Sequence, residues 1–433
     1  MSGPNDKKSK GPLMRDTKNT TYLALGCVGF IASAAVPAAA QETDRAERRD
    51  DNIVVIGERF ENDYSAEEIV SPKATAKLLN TPRIVNVITE DVLEDSASFS
   101  FSDALRTVPG ITLGAGEGGV ASADIPLIRG LDATGDVFVD GARDIGSQTR
   151  ETFAVERIEV FKGPNSAFGG RGSPGGVINI VSKLARAGNS ASATAIVGTD
   201  NFYRATADVN AQISDDLAVR INGMYHDTDV PGRDAVRQTR WGIAPSLTYG
   251  IGSDTHATLS YYHYESDGIP DYGIPLTSRG QLPGDRREAA DVDYDNFYGL
   301  IARDFQKSRI DSVTFLFEHD FGNGWVLSDT ARYSNARNEY IVTNPDDSVG
   351  NVANGLVWRN VKSRNSTNQS LVNNLNLAGT FNTGGLQHQI ATGFEFSTSD
   401  TVNRSYSVAT GDRGCSASAI ANFDCTSLNN PDP

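Results

Sequence analysis

The residues whose spacing could do chemistry are few, and most fail on context. Gly114-Ala115-Gly116-Glu117-Gly118-Gly119 and Gly170-Arg171-Gly172-Ser173-Pro174-Gly175 both fit the GxGxxG pattern of a dinucleotide site. That chemistry needs a helix starting at the glycines, so that its positive end meets the pyrophosphate. Val120 to Pro126 and Val177 to Val181 are not helical patterns. Asp291, Asp293 and Asp295 have the spacing of a calcium loop, but Asn296 stands where the turn glycine belongs and Ala302 where the bidentate acid belongs. The five histidines, His226, His256, His263, His319 and His388, stand singly, without HxxxH or HExxH spacing for zinc. No local motif assembles a nucleophile, a base and an orienting group. The chain therefore reads as a non-enzyme, with no catalytic residues, no resident metal and no directly bound cofactor.

Composition narrows the class further. Lys and Arg number 39 against 55 Asp and Glu, a formal charge of −16, which excludes a nucleic-acid partner that wants a basic surface. Mean hydropathy is slightly negative, which argues against a helical membrane bundle. A transmembrane β-barrel remains open, because its strands alternate apolar and polar positions and keep the average low. At 433 residues, two domains are expected. Lys7, Lys8, Lys10, Arg15 and Lys18 precede a short apolar run from Tyr22 to Val36 that closes on Ala38-Ala39-Ala40, so residues 1–40 read as a signal peptide. Cys27 falls in that segment. Cys415 and Cys425 then close a short loop in a compartment that permits disulfides, and a local bridge is expected between them.

The elements divide into two patterns. Residues 41–80 form a polar leader that contains one β-prone run, Asp51-Asn52-Ile53-Val54-Val55-Ile56-Gly57. Residues 81–183 mix short strands and helices and read as a compact α+β domain. Strands are expected at Ile84 to Thr89, Ile125 to Arg129, Val137 to Val139, Ile158 to Phe161 and Val177 to Val181. One helix is expected to start at Thr89-Glu90-Asp91, and a second to be capped by Ser102 and to run through Arg106. From 184 to 433 the period becomes two. Leu217, Val219, Ile221 and Tyr225 oppose Arg220 and Asn222, and Leu371, Leu375, Leu377 and Phe381 oppose Asn374, Asn376 and Thr380. About nine such strands are expected. Short turns near 214–216, 250–255, 321–324 and 382–387 alternate with long connections at 228–235, 267–305, 336–366 and from 401 onward, the rim asymmetry of an outer-membrane barrel.

Several blocks in this order carry a resemblance. Ile128-Arg129-Gly130, Phe138-Val139-Asp140-Gly141-Ala142-Arg143-Asp144, Val155-Glu156-Arg157-Ile158-Glu159-Val160, Lys162-Gly163-Pro164-Asn165-Ser166-Ala167 and Gly175-Gly176-Val177-Ile178-Asn179 resemble the plug of TonB-dependent outer-membrane receptors. The resemblance spans about Asn52 to Asp400. It implies that Asp51 to Gly57 is the TonB box, which pairs as an added strand with TonB, driven by ExbB and ExbD at the inner membrane. It further implies a plug facing the periplasm, long loops outside the cell, and buried plug-to-barrel contacts for Arg129, Arg143, Arg157 and Glu159.

Asp140 to Gly146, Pro270-Asp271-Tyr272-Gly273-Ile274-Pro275 and Asn296-Phe297-Tyr298-Gly299 are similar to catecholate siderophore receptors. The implied ligand is a ferric siderophore, anionic and aromatic, with iron entering only as part of it. Gln148, Arg150, Arg143 and Tyr272 are the expected contacts. Cobalamin, haem and oligosaccharide are the rival ligands of such importers. Plugged transporters have about 22 strands, and about nine cannot close around a plug, so the chain reads as a truncated receptor or a non-functional fragment of one.

Overall fold

The computed structural model describes residues 64–71, 77–115, 123–146, 148–165 and 173–433. The expected signal peptide and the expected box at Asp51 to Gly57 lie outside them. All described residues belong to one unit spanning 54–433.

The α+β region is built on a five-stranded mixed sheet. Its strands are β1 (Ile84–Thr89), β5 (Val137–Val139), β6 (Ala142–Arg143), β7 (Val155–Lys162) and β8 (Gly176–Ser182), in the order β1-β7-β8-β5-β6, with β5 and β8 parallel. A small second sheet joins β2 (Ile111–Leu113), β3 (Pro126–Ile128) and β4 (Leu131–Asp132). Two helices, α1 (Glu90–Asp95) and α2 (Phe101–Arg106), cover one face. Ile88, Leu93, Phe101, Leu105, Ile158, Val160 and Ile178 form the core beneath them. Fully burying one such side chain is worth about 1.5–3 kcal/mol.

Local chemistry corrects several expectations. The cap of α2 is Ser100, whose Oγ accepts from the Asp103 N–H at 3.1 Å; Ser102 lies inside the helix. Thr89 precedes α1 without a side-chain cap. The strand expected through Arg129 stops at Ile128, because Arg129 and Gly130 turn at φ 53° and 79°. Asp140 and Gly141 turn likewise between β5 and β6, at 51° and 78°, the left-handed pair that a tight two-residue hairpin requires. Gly176 has φ 140°, and a Cβ there would lie 2.0 Å from the Phe161 carbonyl oxygen. The leader is not wholly separate from this domain either. Ile69 is buried against Phe138, Phe161 and Val177.

From Ser190 the chain makes nine consecutive strands, each antiparallel to the next. They are β9 (Ser190–Val197), β10 (Tyr203–Ser214), β11 (Leu217–Asp229), β12 (Arg237–Tyr249), β13 (Thr255–Gly268), β14 (Phe305–Asp320), β15 (Trp325–Asp346), β16 (Leu356–Thr383) and β17 (Leu386–Arg404). A helical turn, α3 (Ala417–Ala421), leads to β18 (Cys425–Ser427), which pairs with the start of β16, and Cys415 is bonded to Cys425. The long connection expected at 336–366 is instead mostly strand, leaving a loop only at 347–355. Above the apolar belt the outward positions are Arg337, Glu339 and Asn365, so the alternation that marks a lipid-facing strand fades while the ladder continues.

Burial in this sheet is inverted relative to a soluble protein. On β11 the buried residues are Ala218, Arg220, Asn222, Met224 and His226, while Ile221 and Tyr225 are each 50% exposed. On β14 and β15, Ser312, Thr314, Thr330 and Ser334 are buried, and Val313, Phe315 and Tyr333 are exposed. A polar inner face and an apolar outer face are what a barrel wall in lipid requires. Among the described residues no helix is long and apolar enough to cross a membrane.

Candidate functional site

The α+β domain sits against the polar face of the sheet. Phe153 and Ala154, in the loop before β7, pack with Met224, Ala244, Tyr264, Ile310 and Ala336 of the wall. This apolar contact is small beside the ion pairs around it. Glu151 lies between two wall arginines, 2.9 Å from Arg204 Nη2 and 2.7 Å from Arg240 Nη1. Glu156 meets Arg220 at 3.3 Å, and Arg220 also grips Asp208 of β10 at 2.6 Å. Lys183, where the chain leaves the domain, bridges Glu90 of α1 at 2.6 Å and Asp208 at 3.6 Å. Main-chain carbonyls join in: Thr330 Oγ1 donates to Asp140 O, and Asn374 Nδ2 to Gly141 O.

The four residues expected to meet ligand are all engaged with protein. Arg150 is buried and bonds Asp144 at 2.8 Å and Asp124 at 3.2 Å; Gln148 Nε2 donates to Asp144 Oδ2 at 2.6 Å. Burial pushes the Asp144 carboxyl up, but Arg150, Arg332 and the hydrogen bonds from Arg150 and Gln148 outweigh it and hold the group below its ordinary value. Asp124 goes the other way, because burial there exceeds the pull of Arg150. A small cavity beside this network is lined by Asp144, Gln148, Arg150, Tyr262 and Arg332. Arg143 is buried between Asp136 at 3.3 Å and Glu395 of β17 at 3.5 Å. Tyr272, from the long 269–304 loop, packs on Tyr340 and Val342.

Of the four charged residues expected at the plug-to-barrel seam, Arg143 reaches the wall through Glu395. Glu159 is fully buried, and its Oε1 accepts from the Val70 N–H at 2.7 Å while Oε2 accepts from Asn179. Burial raises its pKa against those bonds. Arg157 donates to Glu68 O at 3.5 Å. Both residues therefore hold the 64–71 segment onto the domain. Arg129 is exposed at its turn. The other expected scaffold residues serve turns. Gly163 donates to the Gly175 carbonyl, and Lys162 Nζ donates to the Pro109 carbonyl, closing the loops around β7 and β8. Pro164 follows Gly163 in that connection.

Sequence reasoning missed Lys362 and Arg364. They share the inward parity of the buried Ser366, Asn368 and Ser370, and stand beside Val342 and Tyr340 in register. Neither is within 4.0 Å of a carboxylate among the described residues, unlike Arg143 and Arg150. Their signal in the sequence, Lys362-Ser363-Arg364, was hidden because the stretch read as loop.

A mixed α+β domain latched by charge to the polar face of an outward-apolar strand wall defines the plugged-barrel class. Residues 77–177 match the family model described as TonB-dependent Receptor Plug Domain. The chain is 40% identical over 381 residues to the probable TonB-dependent siderophore receptor PiuA of Acinetobacter baumannii, covering 86% of this chain and 51% of that protein. It is 34% identical over 407 residues to the catecholate siderophore receptor Fiu of Escherichia coli K12, covering 90% and 52%. The crystal structure of the A. baumannii PiuA receptor superposes with a TM-score of 0.80 at 39% identity, over 86% of this chain and 54% of that one. By its plug and by the strands that follow, the chain is similar to the TonB-dependent receptors. It spans about half the length of the curated relatives it matches.

Proposed function

We propose that the chain supplies the plug and adjoining wall of an outer-membrane importer of ferric siderophores, of the catecholate class, driven by TonB with ExbB and ExbD. The observation that carries this reading is the plug's seat: a folded domain held across a polar lumen wall by paired charges, in a chain 34–40% identical to siderophore receptors. A lumen so filled passes nothing until the plug is moved. The outer membrane holds no nucleotide pool, so the work must come through the Asp51 to Gly57 box as a pulled strand. The plug then faces the periplasm, and the 269–304 and 405–433 segments face outward.

A ferric tris-catecholate is anionic and aromatic, and the wall above the plug presents matching groups. Lys362 and Arg364 are the cations there without acid partners among the described residues, next to Tyr340 and Tyr272. Arg143, Gln148 and Arg150 serve the same site by fixing the plug loop beneath it, and Arg150 reaches ligand only if it gives up Asp124 or Asp144. The test is uptake of labelled ferric catecholate by a receptor-deleted, iron-limited host that expresses this chain continued to its relatives' length. Uptake abolished by Val54→Pro is the expected result. Absence of uptake for every ferric catecholate, with uptake of cobalamin, haem or an oligosaccharide, would overturn the ligand class.

A further inference from the structure

We propose that Glu159 and Asn179 act as positioning residues that couple the hold on the 64–71 segment to the seating of the Asp140-Gly141 turn on the wall. The inference deepens the reading of a plug drawn by its leader and rests on that reading for its use in transport. The central sheet of the plug has two faces. Ile158, Val160, Ile178 and Ile180 point to the helices, and the alternate residues Glu159, Phe161, Val177 and Asn179 point the other way. Ile69 covers that second face, packed on Phe138, Phe161 and Val177. Glu159 and Asn179 are cross-strand partners on it, with 0% and 6% of their surface exposed.

Four hydrogen bonds run end to end through this pair. The Val70 N–H donates to Glu159 Oε1 at 2.7 Å, and Asn179 Nδ2 donates to Glu159 Oε2 at 3.1 Å. The Gly141 N–H then donates to Asn179 Oδ1 at 3.1 Å, and Asn374 Nδ2 of β16 donates to the Gly141 carbonyl at 2.8 Å. Thr330 of β15 donates to the Asp140 carbonyl of the same turn, and Arg143 beyond it meets Glu395. Polarity fixes the direction of every link. Glu159 accepts at both oxygens, so Asn179 must turn its nitrogen to the acid and its oxygen to Gly141. Drawing the segment away removes the Val70 donor and the Ile69 cover together. Water then hydrates the carboxylate, the orientation of the Asn179 amide is no longer imposed, and the Gly141 N–H loses its fixed acceptor. The turn that carries the wall contacts is loosened while β7 and β8 stay paired. Such coupling is reciprocal: a turn lifted from the wall weakens the hold on the segment by the same factor.

The test perturbs the wall end of this chain of bonds and reads the leader end. The readout is thiol labelling at position 69 of an Ile69→Cys chain folded in detergent micelles, measured by peptide mass. Thr330→Ala with Asn374→Ala strips the turn of its two wall side-chain donors and is expected to raise the labelling rate about fivefold, the low end of the range for linked sites. Asn374→Ala alone serves if the pair does not fold. Glu159→Gln turns an N–H toward Val70, toward Asn179 or, through a flipped Asn179, toward Gly141, so in that background the wall variant is expected to change nothing. Glu151→Gln, which loosens the seat away from the turn, is expected to leave position 69 as it was. Unchanged labelling in the wall variant, a rise that persists with Glu159→Gln, an equal rise with Glu151→Gln, or lost exchange protection in β7 and β8 would each overturn the coupling. No siderophore or partner protein is needed, so a negative result here leaves the uptake reading standing, and failed uptake leaves the coupling standing.

Discussion

The plug's interior and the plug's seat are held by different forces. Inside, Leu105, Ile128, Ile158, Val160 and Ile178 are buried almost completely against one another, a non-directional, salt-indifferent attachment. At the seat the apolar contacts include Phe153 and Ala154 against the wall and Phe99 beside Phe202 and His226, while Glu151, Glu156, Asp144 and Arg143 of the plug pair with Arg204, Arg240, Arg220, Arg332 and Glu395 of the wall. Such pairs are strong in place, yet replacing them with water costs the charges little, because each regains hydration. Apolar surface regains nothing. A body built this way can leave its seat without first coming apart, as the proposed pulling of the plug requires.

Substitutions can break either half of this contrast separately. The largest effect is expected inside the plug. Gly176→Ala drives a Cβ into the Phe161 carbonyl and strains a φ of 140°, and Ile158→Ala empties a fully buried site at a cost of about 2–5 kcal/mol. Hydrogen exchange across β7 and β8 should rise in both variants. At the seat, Glu151→Gln leaves Arg204 and Arg240 buried without their acid, a loss of about 3–5 kcal/mol of seating that protease sensitivity of the 148–154 loop would report. On the outer face, Phe315→Arg is expected to cost about 2–4 kcal/mol of insertion, read as the folded fraction by gel mobility without heating.

The smallest effect is a pH dependence. Asp144 has a folded pKa below its ordinary value, so its stabilising contribution is complete above the unfolded value of about 3.9 and is lost as pH falls through the lower, folded one. Pepsin sensitivity of the seat should therefore rise in strong acid, and Asp144→Asn should remove that rise.

These two regions were also unequally legible. The plug's strands announced themselves through short apolar runs between glycine turns, and the wall through strict alternation, because both signals are local. The seat is not local. Glu151 meets Arg204 and Arg240 across more than fifty residues, and a sequence records neither partner nor distance. The same limit explains why the enclosure of Arg150 and Gln148 by Asp124 and Asp144 is not legible in the sequence. It also explains why Lys362 and Arg364 were passed over. From Lys362 to Ser370 both faces of β16 are polar, so the strand loses the contrast that reveals it.

The most direct test is hydrogen exchange on the Glu151→Gln chain, compared with wild type. Faster exchange is expected in residues 148–154 and at the facing wall, with β7 and β8 as protected as before. Loss of protection in β7 and β8 together with the seat would contradict it, since plug and wall would then be one cooperative body rather than a folded domain held by charge.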